Sequence, residues 1–118
     1  MKRLVPFCTT LLIVTAVYAQ PTEAVDLTTE EVVALIKGQS ISTENTRWGM
    51  VGLQFKENGT LYGNNNGGSD SGKWRVLDGK LCLEWRRWDY EGCGVMRRIG
   101  NEVHHLWPNG SVHFAYRP

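Results

Sequence analysis

Two periodicities divide the chain at Gly38. Before it, "DLTTEEVVALIKGQ" places Leu27, Val32, Leu35 and Ile36 near one stripe of a 3.6-residue repeat, which predicts one short helix within residues 26 to 38. Thr28 and Glu31 have capping-box spacing, and Glu30 adds negative charge to the first turn. Lys37 adds positive charge to the last turn, and Gly38 stops the helix. Val32 and Val33 are weak helix formers, so the apolar stripe has to pack on something. After Gly38 the period drops to two. Short alternating runs predict strands near 40–45, 49–55, 60–63, 73–77, 80–86, 93–99, 102–107 and 111–117. "ENGT", "LDGK", "IGNE" and "PNGS" punctuate them with residues suited to the positive φ of tight hairpins. The fold class follows: mainly β, an antiparallel meander of about eight short strands, forming a small closed or nearly closed barrel preceded by one short N-terminal helix. Closure is preferred because it leaves no sheet edge exposed.

Two segments break the alternation. "GNNNGGSDSG", residues 63 to 72, has no apolar side chain and reads as a flexible polar connector. As a calcium turn it is poor, since Asp70 is its one carboxylate and calcium takes about six to eight oxygens. "QPTEAV" at the other extreme reads as a mobile lead-in over residues 20 to 26, ahead of a single domain from 27 to 118.

Residues 1 to 19 have the layout of a cleaved signal peptide. Lys2 and Arg3 precede an uncharged apolar run from Leu4 to Val17, and Val17 and Ala19 are small residues at the positions a signal peptidase reads. The run contains Pro6 and is shorter than the roughly 20 apolar residues of a membrane span. A periplasmic or secreted protein without a stable span is therefore expected. Removing Lys2 and Arg3 takes the formal charge from +1 to −1, which argues against nucleic acid as a partner. The basic excess of the second half lies mostly in Arg86-Arg87 and Arg97-Arg98. Neighbouring residues on a strand face opposite ways, so neither pair builds a strong patch.

Of three cysteines, Cys8 lies within the signal. Cys82 and Cys93 remain, an even number in an oxidising compartment, and predict a structural disulfide. The ten residues between them are too many for a redox Cys-x-x-Cys motif, and no further ligand has the spacing of a zinc site. On the chain-entropy account the bond contributes about 3 kcal/mol.

Catalytic chemistry is hard to assemble. If Asn109-Gly110 is a hairpin tip, His105 shares an apolar face with Val103, Trp107, Val112, Phe114 and Tyr116. His104 and His113 then lie diagonally on the other face, about 7 Å apart, with no third metal ligand. Glu84 and Glu91 would oppose each other beside the cysteines and are expected to splay into solvent. No serine occupies a strand-to-helix elbow, and no glycine loop would cradle phosphate. Neither enzyme activity nor any cofactor or metal is expected. The sequons at Asn58 and Asn109 coincide with hairpin turns that want asparagine for its backbone.

The five tryptophans are the remaining signal. Trp74, with Val76, and Trp85, with Leu83, read as core; Trp48 and Trp107 read as core or rim. Trp88 lies at the tip of the stapled hairpin, among Arg86, Arg87 and Tyr90. These four residues are the candidate binding site, because arginine and aromatic side chains dominate hot spots. The competing reading folds Trp88 back over the barrel end as a plug on Arg86.

Several short motifs run together along the chain: Gly38 to Ser40 after the helix, Gly72 to Trp74, Gly79 to Trp85, Cys93, and Pro108 to Gly110. In this series the chain resembles a family of small exported alphaproteobacterial proteins classed as a domain of unknown function. The Asn/Gly-rich stretch and Trp88 fall outside the shared pattern. The resemblance implies a periplasmic β-rich domain and no activity. The expected function is a monomeric, non-catalytic binding or interaction module of the cell envelope. An inhibitor of an exported enzyme, or a carrier of a small molecule inside the barrel, stands as the alternative.

Overall fold

The computed structural model describes residues 23–45, 48–89 and 91–118. The expected signal peptide, the first residues of the lead-in and Tyr90 lie outside the described residues. In chain order the elements are β1 (Ala24–Asp26), α1 (Thr29–Ile36), β2 (Ser40–Asn45), β3 (Gly49–Phe55) and β4 (Thr60–Asn65). They continue with β5 (Gly68–Leu77), β6 (Lys80–Trp85), β7 (Gly92–Ile99), β8 (Glu102–Leu106) and β9 (Val112–Tyr116). From β2 to β9 every strand pairs antiparallel with the next, and β9 returns to β2. The result is the expected closed meander, an eight-stranded up-and-down barrel with one extra strand.

The turns explain the register. Leu77 faces Lys80 across a two-residue hairpin whose Asp78 and Gly79 have φ of 50° and 75°, the pair of positive angles that suits the right-handed twist of the flanking strands. Asn58 and Asn109 each accept the backbone N–H two residues on, at 3.0 and 2.9 Å. The asparagines are thereby used by their own turns.

The helix begins as its sequence predicts, with both hydrogen bonds of the Thr28–Glu31 box formed, and buries Val32 and Ile36 completely. Its docking is reinforced from two strands and a hairpin turn. The Leu27 N–H donates to Met96 O at 2.8 Å, the Gly79 N–H to Thr29 Oγ1 at 2.7 Å, and the Gly38 N–H to Phe55 O at 2.7 Å. α1 thus closes one end of the barrel, where the turns after β3, β5 and β7 gather. Inside, Phe55, Leu61, Leu81, Leu83, Met96 and Phe114 are all at most 2% exposed. Side chains fill the barrel.

Two sequence expectations are corrected. Residues 63 to 72 are no connector: β4 and β5 run through the stretch, joined at Asn66-Gly67, with Asn64 opposite Ser69 and Gly63 opposite Asp70. Backbone pairing to β3 and β6 holds a strand that no apolar alternation announces. The lead-in is also partly ordered. β1 pairs with the second half of β7, Val25 opposite Arg98, and extends the sheet where β6 has ended. The Arg97 Nε donates to Asp26 Oδ1 at 2.7 Å across that pairing, and this bond raises the guanidinium pKa.

Candidate functional site

The end opposite the helix is closed by side chains from loops. Trp88 packs its ring on Trp85, centroids 4.7 Å apart, and lies half-buried over the core. Gly63 makes this contact possible, because a Cβ there would sit 2.5 Å from Trp85 Cη2 and 2.7 Å from Trp88 Cζ3. The plug reading therefore describes Trp88, with Trp85 rather than Arg86 beneath it. Asp70 anchors the same turn. Its Oδ2 accepts from the backbone N–H groups of Arg87 and Trp88 at 2.8 and 2.9 Å, and the Arg87 guanidinium lies alongside at 3.5 Å. Burial pushes the Asp70 carboxyl up, yet the N–H groups of Trp88, Arg87 and Ser71 with the Arg87 side chain outweigh it and hold the pKa at about 2. Arg87 also donates from Nη2 to Ser69 O at 2.6 Å, so it is bound to the β4–β5 hairpin although its side chain is 75% exposed. Arg86 is exposed and makes no ion pair among the described residues.

The histidines are arranged differently from the sequence expectation. His105 faces Phe114 as predicted, but Leu106 pairs with Val112, and a bulge shifts the register at His113. The bulge turns His113 inward to join His105, away from His104, so the expected His104–His113 diagonal is replaced by a buried pair. Their Nδ1 atoms are 3.0 Å apart, and His105 Nε2 is 2.9 Å from Leu81 O. A carbonyl only accepts, so His105 carries its proton on Nε2 and offers a bare Nδ1 to the Nδ1–H of His113. Protonating His105 on Nδ1 would set N–H against N–H. Burial, opposed only by the Leu81 carbonyl, lowers the His105 pKa to about 4; burial and then the neighbouring His105 lower that of His113 to about 3. His105 stacks on Phe114 and His113 on Trp107. The bulged carbonyl of His113 accepts from Asn45 Nδ2 at 3.0 Å, and Ala115 O accepts from Thr43 Oγ1 at 2.8 Å. These buried polar side chains stitch the β9–β2 seam, where the ladder records one register pair, Glu44 with Ala115. At the far end of β9 burial raises the Tyr116 hydroxyl pKa, against the pull of Arg98.

The feature that strand-by-strand reading misses lies outside the barrel. Across its outer face one row of neighbours runs Ser42, Gly52, Asn64, Ser69. The next runs Ser40, Gln54, Tyr62, Ser71 and continues to Arg86, whose N–H donates to Ser71 O at 3.0 Å. Both rows line an open groove of about 900 Å³ that ends at Arg86 and Arg87. Gly52 keeps the floor low: the Asn64 amide lies over it, with Oδ1 2.6 Å from where a Cβ would be. Tyr62 is 45% exposed on that floor. Two of the four sequence-nominated residues, Arg86 and Arg87, thus belong to the groove, while Trp88 belongs to the plug. The signal for the groove was present in uncharged outward residues shared among four strands, and became readable only with the register known.

Cys82 and Cys93 face each other with sulfurs at 2.09 Å, the expected disulfide. Exposed Glu84 and Glu91 flank it at a second cleft of about 490 Å³, beside Lys73 and Arg75. Among the described residues no three His, Cys, Asp or Glu side chains converge as a metal site, and no helix is long and apolar enough to cross a membrane. Comparison with models of protein families, with curated proteins and with solved structures found no match to this chain.

Proposed function

We propose that this protein is an exported, non-catalytic binding module of the cell envelope, and that it engages its partner through the outer groove on β2–β5 with Arg86 and Arg87 at its end. One observation carries the reading: the barrel interior is occupied by its own side chains, while the outer face holds a 900 Å³ groove bordered by two arginines. A carrier would need the space that Phe55, Leu61, Met96 and Phe114 fill. The titratable side chains with displaced pKa inside the barrel are spent on structure, since His105 and His113 bond each other and Asp70 caps a turn. The cross-strand disulfide supports export to an oxidising compartment. An inhibitor of an exported enzyme is one form this module takes if its partner is a protein.

Affinity capture from envelope extract, using the protein as the cell processes it, tests the reading. A partner that is retained by the native protein and by Lys73→Gln, and lost with Arg86→Glu, is the expected result. A partner captured equally well by Arg86→Glu would move the interaction off the groove and overturn the proposal.

A further inference from the structure

We infer that the groove binds an acidic oligosaccharide, a sugar chain that carries one carboxylate at its end; this inference rests on the binding-module reading and specifies its ligand. The argument is one of chemical exclusion and fit. Four strands at about 4.8 Å spacing make a strip roughly 15 Å across, and Arg86, just past the end of the fifth strand, lengthens it to about 20 Å. Over that length the outward side chains are hydroxyls and amides, from Ser42, Asn64, Gln54 and Ser71, with no aliphatic group among them. Tyr62 presents a half-exposed ring in their midst. Sugars supply what complements such a surface: many hydroxyls for bidentate hydrogen bonds, and C–H faces for one aromatic ring.

Other ligand classes fit less well. An extended peptide gains its affinity by adding to a sheet edge, and here β2 to β5 each have a neighbouring strand on both sides. Its apolar side chains would find no pocket on this polar floor. A nucleic acid carries a charge at every nucleotide and needs cations along its whole track, whereas the groove places its cations at one end. That placement gives the polarity of the complex. Arg87 is already bonded to Asp70 and Ser69 O, which leaves Arg86 as the guanidinium able to take a carboxylate in a bidentate pair. Elsewhere the outward positions are charged with both signs, as at Lys73, Arg75 and Glu84, so the uncharged strip is a local feature of this face.

Amide-detected NMR titration of the native protein with cellohexaonate, which carries one carboxylate at the oxidised end of the chain, and separately with neutral cellohexaose, tests the inference. Cellohexaonate is expected to move the amides of Ser42, Gly52, Asn64 and Arg86. Arg86→Gln and Tyr62→Ala should each weaken it about tenfold or more while the thermal midpoint stays within a few degrees. Lys73→Gln, on the neighbouring face, should leave the dissociation constant unchanged. Equal loss with Lys73→Gln would mean unspecific charge attraction and would overturn the inference, as would equal affinity for cellohexaose or the absence of shifts at millimolar ligand. If neither sugar binds while envelope capture still depends on Arg86, the ligand class falls and the binding-module reading stands.

Discussion

The two ends of this barrel are closed by opposite means. At the helix end a preformed amphipathic element lies across the opening, with Val32 and Ile36 fully buried on Leu- and Phe-lined walls. A helix bonds most of its own backbone, so such a lid can be apolar and dry. At the loop end no helix is available. Trp85 and Trp88 cover part of the opening, and each remaining polar group needs its own partner: Asp70 on two backbone N–H groups, Asn45 on the His113 carbonyl, His105 on His113 and Leu81. The lesson concerns sensitivity. An apolar lid fails only when its packing is broken, whereas the loop end also responds to pH and to a single added methyl group.

Breaking the helix end should have the largest effect. Ile36→Asp places a charge where the side chain is 0% exposed, and a loss of about 3 to 5 kcal/mol is expected in urea unfolding. A change below about 0.5 kcal/mol would mean that the helix does not close the barrel. Acid should act instead through the buried histidine pair. Both buried histidines have folded pKa values below the unfolded 6.5, so the unfolded chain binds more protons; stability is complete above pH 6.5 and falls as pH drops toward about 4. Each neutral histidine contributes a limiting slope of about 1.4 kcal/mol per pH unit. His113→Asn should remove close to half of the slope, and an unchanged slope would place its source elsewhere. The smallest pair sharpens the contrast at the aromatic plug. Gly63→Ala is expected to cost about 1 to 3 kcal/mol by overpacking Trp85 and Trp88. Trp88→Ala, half-buried, should cost about 2 kcal/mol, less than the 3 to 5 of a fully buried aromatic. Neutral outcomes for both would show that Trp88 does not seal the barrel.

Much of the helix end was legible because it is written locally. Thr28, Glu31 and Gly38 mark the limits of α1 within a few residues, and Asn58-Gly59, Asp78-Gly79 and Asn109-Gly110 mark hairpins. The loop end was legible only in part. The bulge at His113 reverses the parity of one strand without a glycine to announce it, and so the wrong pair of histidines was brought together on paper. Residues 63 to 72 conceal two strands because small and polar side chains occupy both faces. The inward ones are Gly63, which admits the two tryptophans, and Asp70, which is satisfied by a distant turn. β1 is three residues long and takes its conformation from β7. Arg86 and Arg87 were found as a composition signal; the groove they border is a property of strand register, which no single stretch of sequence contains.

The seam between β9 and β2 has a kinetic consequence. Successive hairpins bring together residues close in the chain, whereas Thr43 and Ala115 are 72 residues apart, Asn45 and His113 are 68 apart, and the Asp26–Arg97 pair spans 71. Closing so large a loop costs entropy before any contact rewards it, so the circle is expected to join last, after the hairpins have formed. The disulfide spans only 11 residues within those long paths and so shortens each of them only slightly. Thr43→Val should accordingly accelerate unfolding and leave the refolding rate nearly unchanged in a denaturant chevron, whereas a slowed refolding limb would mean that closure is already made at the barrier. Until the seam forms, β2 and β9 present two unpaired edges to other copies of the chain, and the time spent in that open state sets the window for misassembly.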